Sequence, residues 1–181
     1  LVSQVKASCN FMFHFGSSVN HITNNLKGEF GQSILPYDRI DVFTDWENQC
    51  GSHTDMEAGV IEYMFLNNKL VQLRIINQSN KEPNLVDWSK KEYGEPDFQL
   101  YTDESQPMEN HYLWFTNDSD VGLDYFIYSE MTDQILTITS TKYETLLSSY
   151  SAKMEDPDEE YIRQFFEEQM KKMLEKNLNA Q

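Results

Sequence analysis

The residues best equipped for chemistry in this sequence are two cysteines and four histidines, and two of each fall in close pairs, Cys9 with His14 and Cys50 with His53. Thiolate sulfur and imidazole nitrogen are the donors that tetrahedral zinc takes, so the four make a Cys2His2 set on paper. Strand geometry argues against it. Residues Cys9 to Phe15 read as a strand, and the odd separation of Cys9 and His14 sends their side chains to opposite faces. Cys9 and Cys50 then stand either as a disulfide, which implies an oxidising compartment, or as two unpaired thiols. His14, His21, His53 and His111 share no spacing, so structural or surface roles are expected of each.

Asn117-Asp118-Ser119-Asp120 resembles the start of a calcium loop, but neither register puts a glycine at the sixth position with a glutamate at the twelfth. The segment reads as a turn before a strand. Asn77-Gln78-Ser79 and Asn117-Asp118-Ser119 fit the glycosylation pattern, which carries meaning only in a secreted eukaryotic protein. Hydrolytic nucleophile elbows and phosphate loops are absent, and seven glycines leave little material for such loops. Thirty acidic residues guarantee that some carboxylates lie close together, so closeness alone does not mark a glycosidase-like pair. No catalytic residue, metal or cofactor is implied.

Charge is more informative. The 181-residue chain has a formal net charge of −16, which repels phosphate backbones and argues against nucleic acid as a ligand. The stretch from Glu92 to Thr141 holds eleven acids and no lysine or arginine. Part of the surface should be strongly negative, either for solubility or to steer a basic protein partner. Asp103, Glu104, Asp118 and Asp120 are the candidate contact residues, in acidic loops.

The elements that would position these residues follow from periodicity. Aromatics at 13% and apolar residues at 39% argue for an ordered globular chain. No apolar run approaches the roughly 20 residues of a bilayer span, so membrane insertion is not expected. The chain opens at Leu1 without a charged start and apolar run, so an export signal is either absent or already removed; location is left open, with a lean towards an exported protein. Ser17 or Ser18 caps a helix through Val19, Ile22 and Leu26 that ends near Gly31. A second helix carries Leu85, Trp88 and Tyr93 and stops at Gly94. Strands follow at Val42 to Trp46, Ile61 to Phe65 and Val71 to Ile75, the last two forming a hairpin across Asn67-Asn68. Later strands are Tyr112 to Phe115, Leu123 to Tyr128 and Ile135 to Thr139. A final helix starts with Asp156 as N-cap and Pro157 in its first position, with Ile162, Phe165, Phe166, Met170, Met173, Leu174 and Leu178 on one stripe. That stripe packs on the sheet or on a partner, including a second copy of the chain.

The chain also matches itself at an offset of 63 residues. Lys27-Gly28-Glu29-Phe30-Gly31 recurs as Lys90-Lys91-Glu92-Tyr93-Gly94, Gly59 falls on Gly122, and Leu73 and Ile75 fall on Leu136 and Ile138. The expected fold is therefore α+β, with two tandem copies of a helix plus a three-stranded antiparallel sheet, an extra N-terminal strand and a C-terminal amphipathic helix. The divisions are 1–80, 81–150 and 151–181, which can pack as one domain. In element order the arrangement resembles secreted β-lactamase inhibitor proteins, and with its acidity it is similar to type III secretion chaperones, but no residue motif of either is present. The function expected is a non-catalytic acidic module of inhibitor, immunity or chaperone type binding a basic protein. The alternatives are an extracytoplasmic or envelope-associated binder of a small ligand, and an enzyme of unrecognised type.

Overall fold

Alternation of buried and half-buried residues fixes the sheet. The computed structural model describes residues 11–51, 59–79, 84–101, 109–127 and 131–178. In order these form helix α1 (Val19–Thr23), strands β1 (Phe30–Leu35) and β2 (Arg39–Asp45), helix α2 (Trp46–Cys50), and strands β3 (Val60–Leu66) and β4 (Lys69–Ser79). Helix α3 (Asn84–Tyr93) follows, then β5 (Phe98–Tyr101), β6 (Glu109–Phe115), β7 (Ser119–Ile127) and β8 (Thr132–Ser140). A 3-10 turn over Thr141–Tyr143 leads into α4 (Glu144–Glu155) and α5 (Glu159–Leu178).

All eight strands belong to one antiparallel sheet, ordered β1-β2-β3-β4-β8-β7-β6-β5. Two four-stranded meanders thus meet at β4 and β8, where Leu73 pairs with Ile138 and Ile75 with Leu136. The α+β class and antiparallel sheet agree with the sequence. Each meander has four strands, however, rather than the three expected. The additional members, β1 and β5, are the sheet's two edges, where Phe30, Ile34, Phe98 and Leu100 remain exposed. An edge strand buries little, so it writes no clear alternation into the sequence. The extra N-terminal strand is also absent from the described part, since residues 11–15 run irregularly with Phe11 wedged between Trp46 and Trp88 at centroid distances of 5.0 and 5.8 Å.

Turn chemistry explains the tightest connection. Leu66 pairs with Lys69, leaving a two-residue loop in which Asn67 and Asn68 have φ of 50° and 58°. This is the mirror-image turn that matches strand twist, and asparagine tolerates it better than most residues.

One face of the sheet carries the main core of Val42, Ile61, Tyr63, Phe65, Leu73, Ile75, Val121, Leu123, Leu136 and Ile138, covered by Val19 and Ile22 of α1, Trp46 and Cys50 of α2, and Leu85 and Val86 of α3. Helix α3 is fixed by the sheet itself. Gln134 of β8, wholly buried, accepts from the Leu85 and Val86 N–H groups at 2.9 and 3.3 Å, satisfying donors that a helix start leaves open. Trp114 Nε1 donates to the Gly94 carbonyl at 2.9 Å and holds the other end.

The opposite face is covered over the first meander by α4, whose Leu146, Leu147 and Tyr150 lie with Tyr143 on Met64, Leu66 and Val71. This helix was not foreseen. Residues 144–178 form two helices rather than one, and the second is capped by Asp158, not Asp156: the Tyr161 N–H donates to Asp158 Oδ1 at 3.0 Å.

The offset of 63 residues holds for only part of the chain. It carries β4 onto β8, with buried Leu73 and Ile75 falling on buried Leu136 and Ile138. It fails in the partner strands, because Leu73 pairs with Tyr63 whereas Leu136 pairs with Leu123, a separation of 60 rather than 63. An odd slip exchanges the two faces. The glycine motif fails too. Gly94 ends α3 with φ of 85°, but Gly31 lies inside β1, and α1 has already closed at Asn24. Gly28, with φ of 72°, turns the chain there, where a β-carbon would lie 2.6 Å from the Asn48 side chain. Gln49 stitches that turn, donating to the Lys27 carbonyl at 2.7 Å and accepting from the Lys27 N–H at 3.3 Å.

Candidate functional site

The second meander buries even positions of β6 and β8 and odd positions of β7 in the main core. Alternation therefore sends Glu109, His111, Leu113 and Phe115, then Asp120, Gly122 and Asp124, then Asp133, Ile135 and Thr137 to the other face, with Phe98 and Leu100 of β5 beside them. The cluster that covers this face, beneath α4, is confined among the described residues to Met64, Leu66 and Val71 of the first meander. Phe98, Leu100 and Phe115 are 49, 51 and 63% exposed, enough to present an apolar surface to water.

Around that surface stand the carboxylates of Glu109, Asp120 and Asp124, with Asp133 partly buried beside them, and the one titratable base among these positions is His111. His111 Nδ1 lies 2.6 Å from Asp124 Oδ1. At the margin with the first meander Arg74 of β4 pairs with Thr137 in the ladder, but its charge is taken by Glu62, to which it is joined in a close ion pair. Glu62 also lies 3.9 Å from Arg39, which binds Asp41 at 2.7 Å. Burial alone would lower the Arg39 pKa, but hydrogen bonds to Asp41 and Tyr150 and the Asp41 charge more than reverse this, so it stays charged. Two buried acids and two arginines therefore cancel, and this margin of the sheet carries no excess charge of its own.

Gly122 lies in the middle of this face. A β-carbon there would meet only Leu113 Cδ2, at 3.5 Å, an ordinary contact, so the glycine leaves room above the sheet without being required by its backbone.

Of the residues singled out from sequence, Asp120 lies on the face and Asp118 in the exposed turn before it. A small network shapes that turn: Thr116 Oγ1 accepts from the Ser119 N–H at 3.0 Å, and the Thr116 N–H donates to the Ser119 carbonyl at 3.0 Å. The Asp118 carbonyl accepts from the Thr141 N–H at 3.2 Å, so the turn is tied to the start of the 3-10 segment. Asp103 and Glu104 lie outside the described residues, as does Cys9. Cys50 is buried and disulfide-bonded. Among the described residues no group of three or more histidines, cysteines and acids gathers as a metal site would, and no helix is long and apolar enough to cross a membrane.

Sequence reasoning missed Phe98, Leu100, Phe115 and Gly122. The lysine- and arginine-free run to Thr141 signalled the place, but which residues share a face depends on pairing register. A second feature is an open groove of about 470 Å3 at the far edge, lined by Phe30, Gly31, Phe43 and Val60 among others. Compared with known proteins the chain finds no match: no family model fits it, and no curated protein or solved structure is detectably similar.

Proposed function

We propose that the chain is a non-catalytic protein-binding module that receives a basic protein segment on the open face of the second meander. The observation that carries this reading is the combination, on one sheet face that the described residues leave open, of exposed Phe98, Leu100 and Phe115 with Glu109, Asp120 and Asp124. Apolar anchors supply binding energy once desolvated, and surrounding carboxylates select lysine- or arginine-bearing partners and hasten encounter. The meanders are read as copies of one module, supported by their matching strand order and by the coincidence of β4 with β8; the second copy uses the face that the described residues leave open.

The test is capture of partners at low salt followed by affinity measurement with purified partner and three forms of the protein. Asp118→Lys with Asp120→Lys should weaken binding more at low than at high salt, because mobile ions screen exposed charges over about 10 Å at 0.1 M. Gly122→Trp should block binding at either salt, since a β-carbon there meets only Leu113 Cδ2 at 3.5 Å and the ring it carries would stand on the face; circular dichroism checks that the fold persists. A partner whose affinity is indifferent to both would show that this face is not the site. The small-ligand reading rests on the groove around Gly31 and Phe43, and a ligand seated there would be lost on Gly31→Trp but not on Gly122→Trp.

A further inference from the structure

We infer that α5 pairs antiparallel with α5 of a second copy of this chain. The helix has 20 residues, about 30 Å of length. Its first turn is anchored on the β1–β2 turn: Tyr161 stacks on Tyr37 with ring centroids 4.7 Å apart, the Tyr37 N–H donates to Tyr161 Oη at 3.1 Å, and the Asp158 N–H donates to Tyr37 Oη at 3.0 Å. Beyond that anchor the apolar stripe is left in water. Phe166, Met170, Met173 and Leu174, at i, i+4, i+7 and i+8, are 51, 56, 61 and 64% exposed, so one continuous side of the helix is apolar and the described residues leave it open.

Charge along the helix says what covers it. The half from 159 to 168 carries Glu159, Glu160, Arg163, Glu167 and Glu168, a net of −3, and the half from 169 to 178 carries Lys171, Lys172, Glu175 and Lys176, a net of +2. A parallel pair would lay like charge on like. An antiparallel pair about a two-fold axis near Met170 lays each acidic half on the partner's basic half and is self-complementary, as a symmetric dimer requires. Phe166 then meets Met173 and Leu174 of the other copy across Met170, whose flexible thioether suits an uneven seam. Glu167 and Lys171, which share one flank of the stripe, reach the partner's Lys171 and Glu167 respectively. The surface is small, so the dimer is a weak one that forms best at moderate salt, where repulsion between two chains of charge −16 is screened.

Sedimentation equilibrium on the whole chain, at concentrations up to the order of 100 μM, should show a reversible monomer–dimer equilibrium. Met170→Glu with Met173→Glu should abolish it while leaving the sheet's unfolding transition in place. Glu167→Lys alone and Lys171→Glu alone should each weaken homodimerisation on the order of tenfold, whereas mixing those two variants should restore a dimer, as should the chain carrying both changes. Circular dichroism of each variant reports whether the helix persists. A wild-type chain that is monomeric throughout overturns the proposal, and so does a dimer that survives the methionine changes. Failure of the two charge variants to recover when mixed overturns the antiparallel register.

Discussion

Removal of Arg74 should expose how the sheet tolerates Glu62. The Glu62 side chain is 3% exposed and is held by Arg74, with Arg39 at 3.9 Å. Arg39 cannot replace the missing partner fully, because its Nε and Nη2 already engage both oxygens of Asp41 at 2.7–3.0 Å. Breaking a buried ion pair from one side costs about 3–5 kcal/mol. Arg74 is itself 36% exposed and Arg39 stays nearby, so we place Arg74→Met at about 2–3 kcal/mol. Glu62→Leu leaves the better hydrated arginine unpaired and should cost less, and the double variant Glu62→Leu with Arg74→Met should recover much of the loss, as apolar replacements of buried pairs commonly do. Urea unfolding of the four proteins gives the coupling directly from the double-mutant cycle, about 2 kcal/mol in favour of the native pair. A coupling below about 0.5 kcal/mol would mean that Glu62 is adequately solvated without Arg74, and the account of charge cancellation beside the open face would fail.

Two other consequences concern the core. Leu136→Ala, at a fully buried position where the meanders join, should cost about 2–5 kcal/mol, with fluorescence and circular dichroism still reporting one coincident urea transition; separate transitions would show that the meanders unfold independently. Stability should also fall in alkali. Burial raises the phenol of Tyr63, and burial followed by the Glu92 charge pushes Tyr93 up to about 12. A raised phenol favours the fold fully below the ordinary value of about 10, and that contribution is lost as pH rises from there through the folded value. For Tyr93 the loss is on the order of 2 kcal/mol, and tyrosinate absorbance should show these residues ionising only as the protein unfolds. Ten tyrosines titrating together near pH 10 with the fold intact would contradict this.

Where the signal is local, the sequence could be read directly. The β3–β4 hairpin was legible because Asn67-Asn68 supplies the turn and because Ile61, Tyr63 and Phe65, then Val71, Leu73 and Ile75, recur at every second position. Helix α3 was legible because Gly94 halts it in a backbone conformation that glycine adopts without strain. The same reasoning misplaced the end of α1 at Gly31, since the chain there is turned by Gly28 and by Gln49, a partner 22 residues away that no local pattern announces. For the same reason α4 passed unseen: its buried contacts lie on Met64, Leu66 and Val71, in strands some 75 residues earlier.

Composition and local order by themselves determined that this is an acidic α+β chain with antiparallel strands, because charge count and period-two alternation need no knowledge of the partner strand. Only the tertiary structure decided that two four-stranded meanders join through β4 and β8, and that Phe98, Phe115, Asp120, Gly122 and Asp124 share one face that the described residues leave open. The physical reason is register: a slip of a single residue would exchange that face with the core, and register is set by hydrogen bonds between segments distant in the chain.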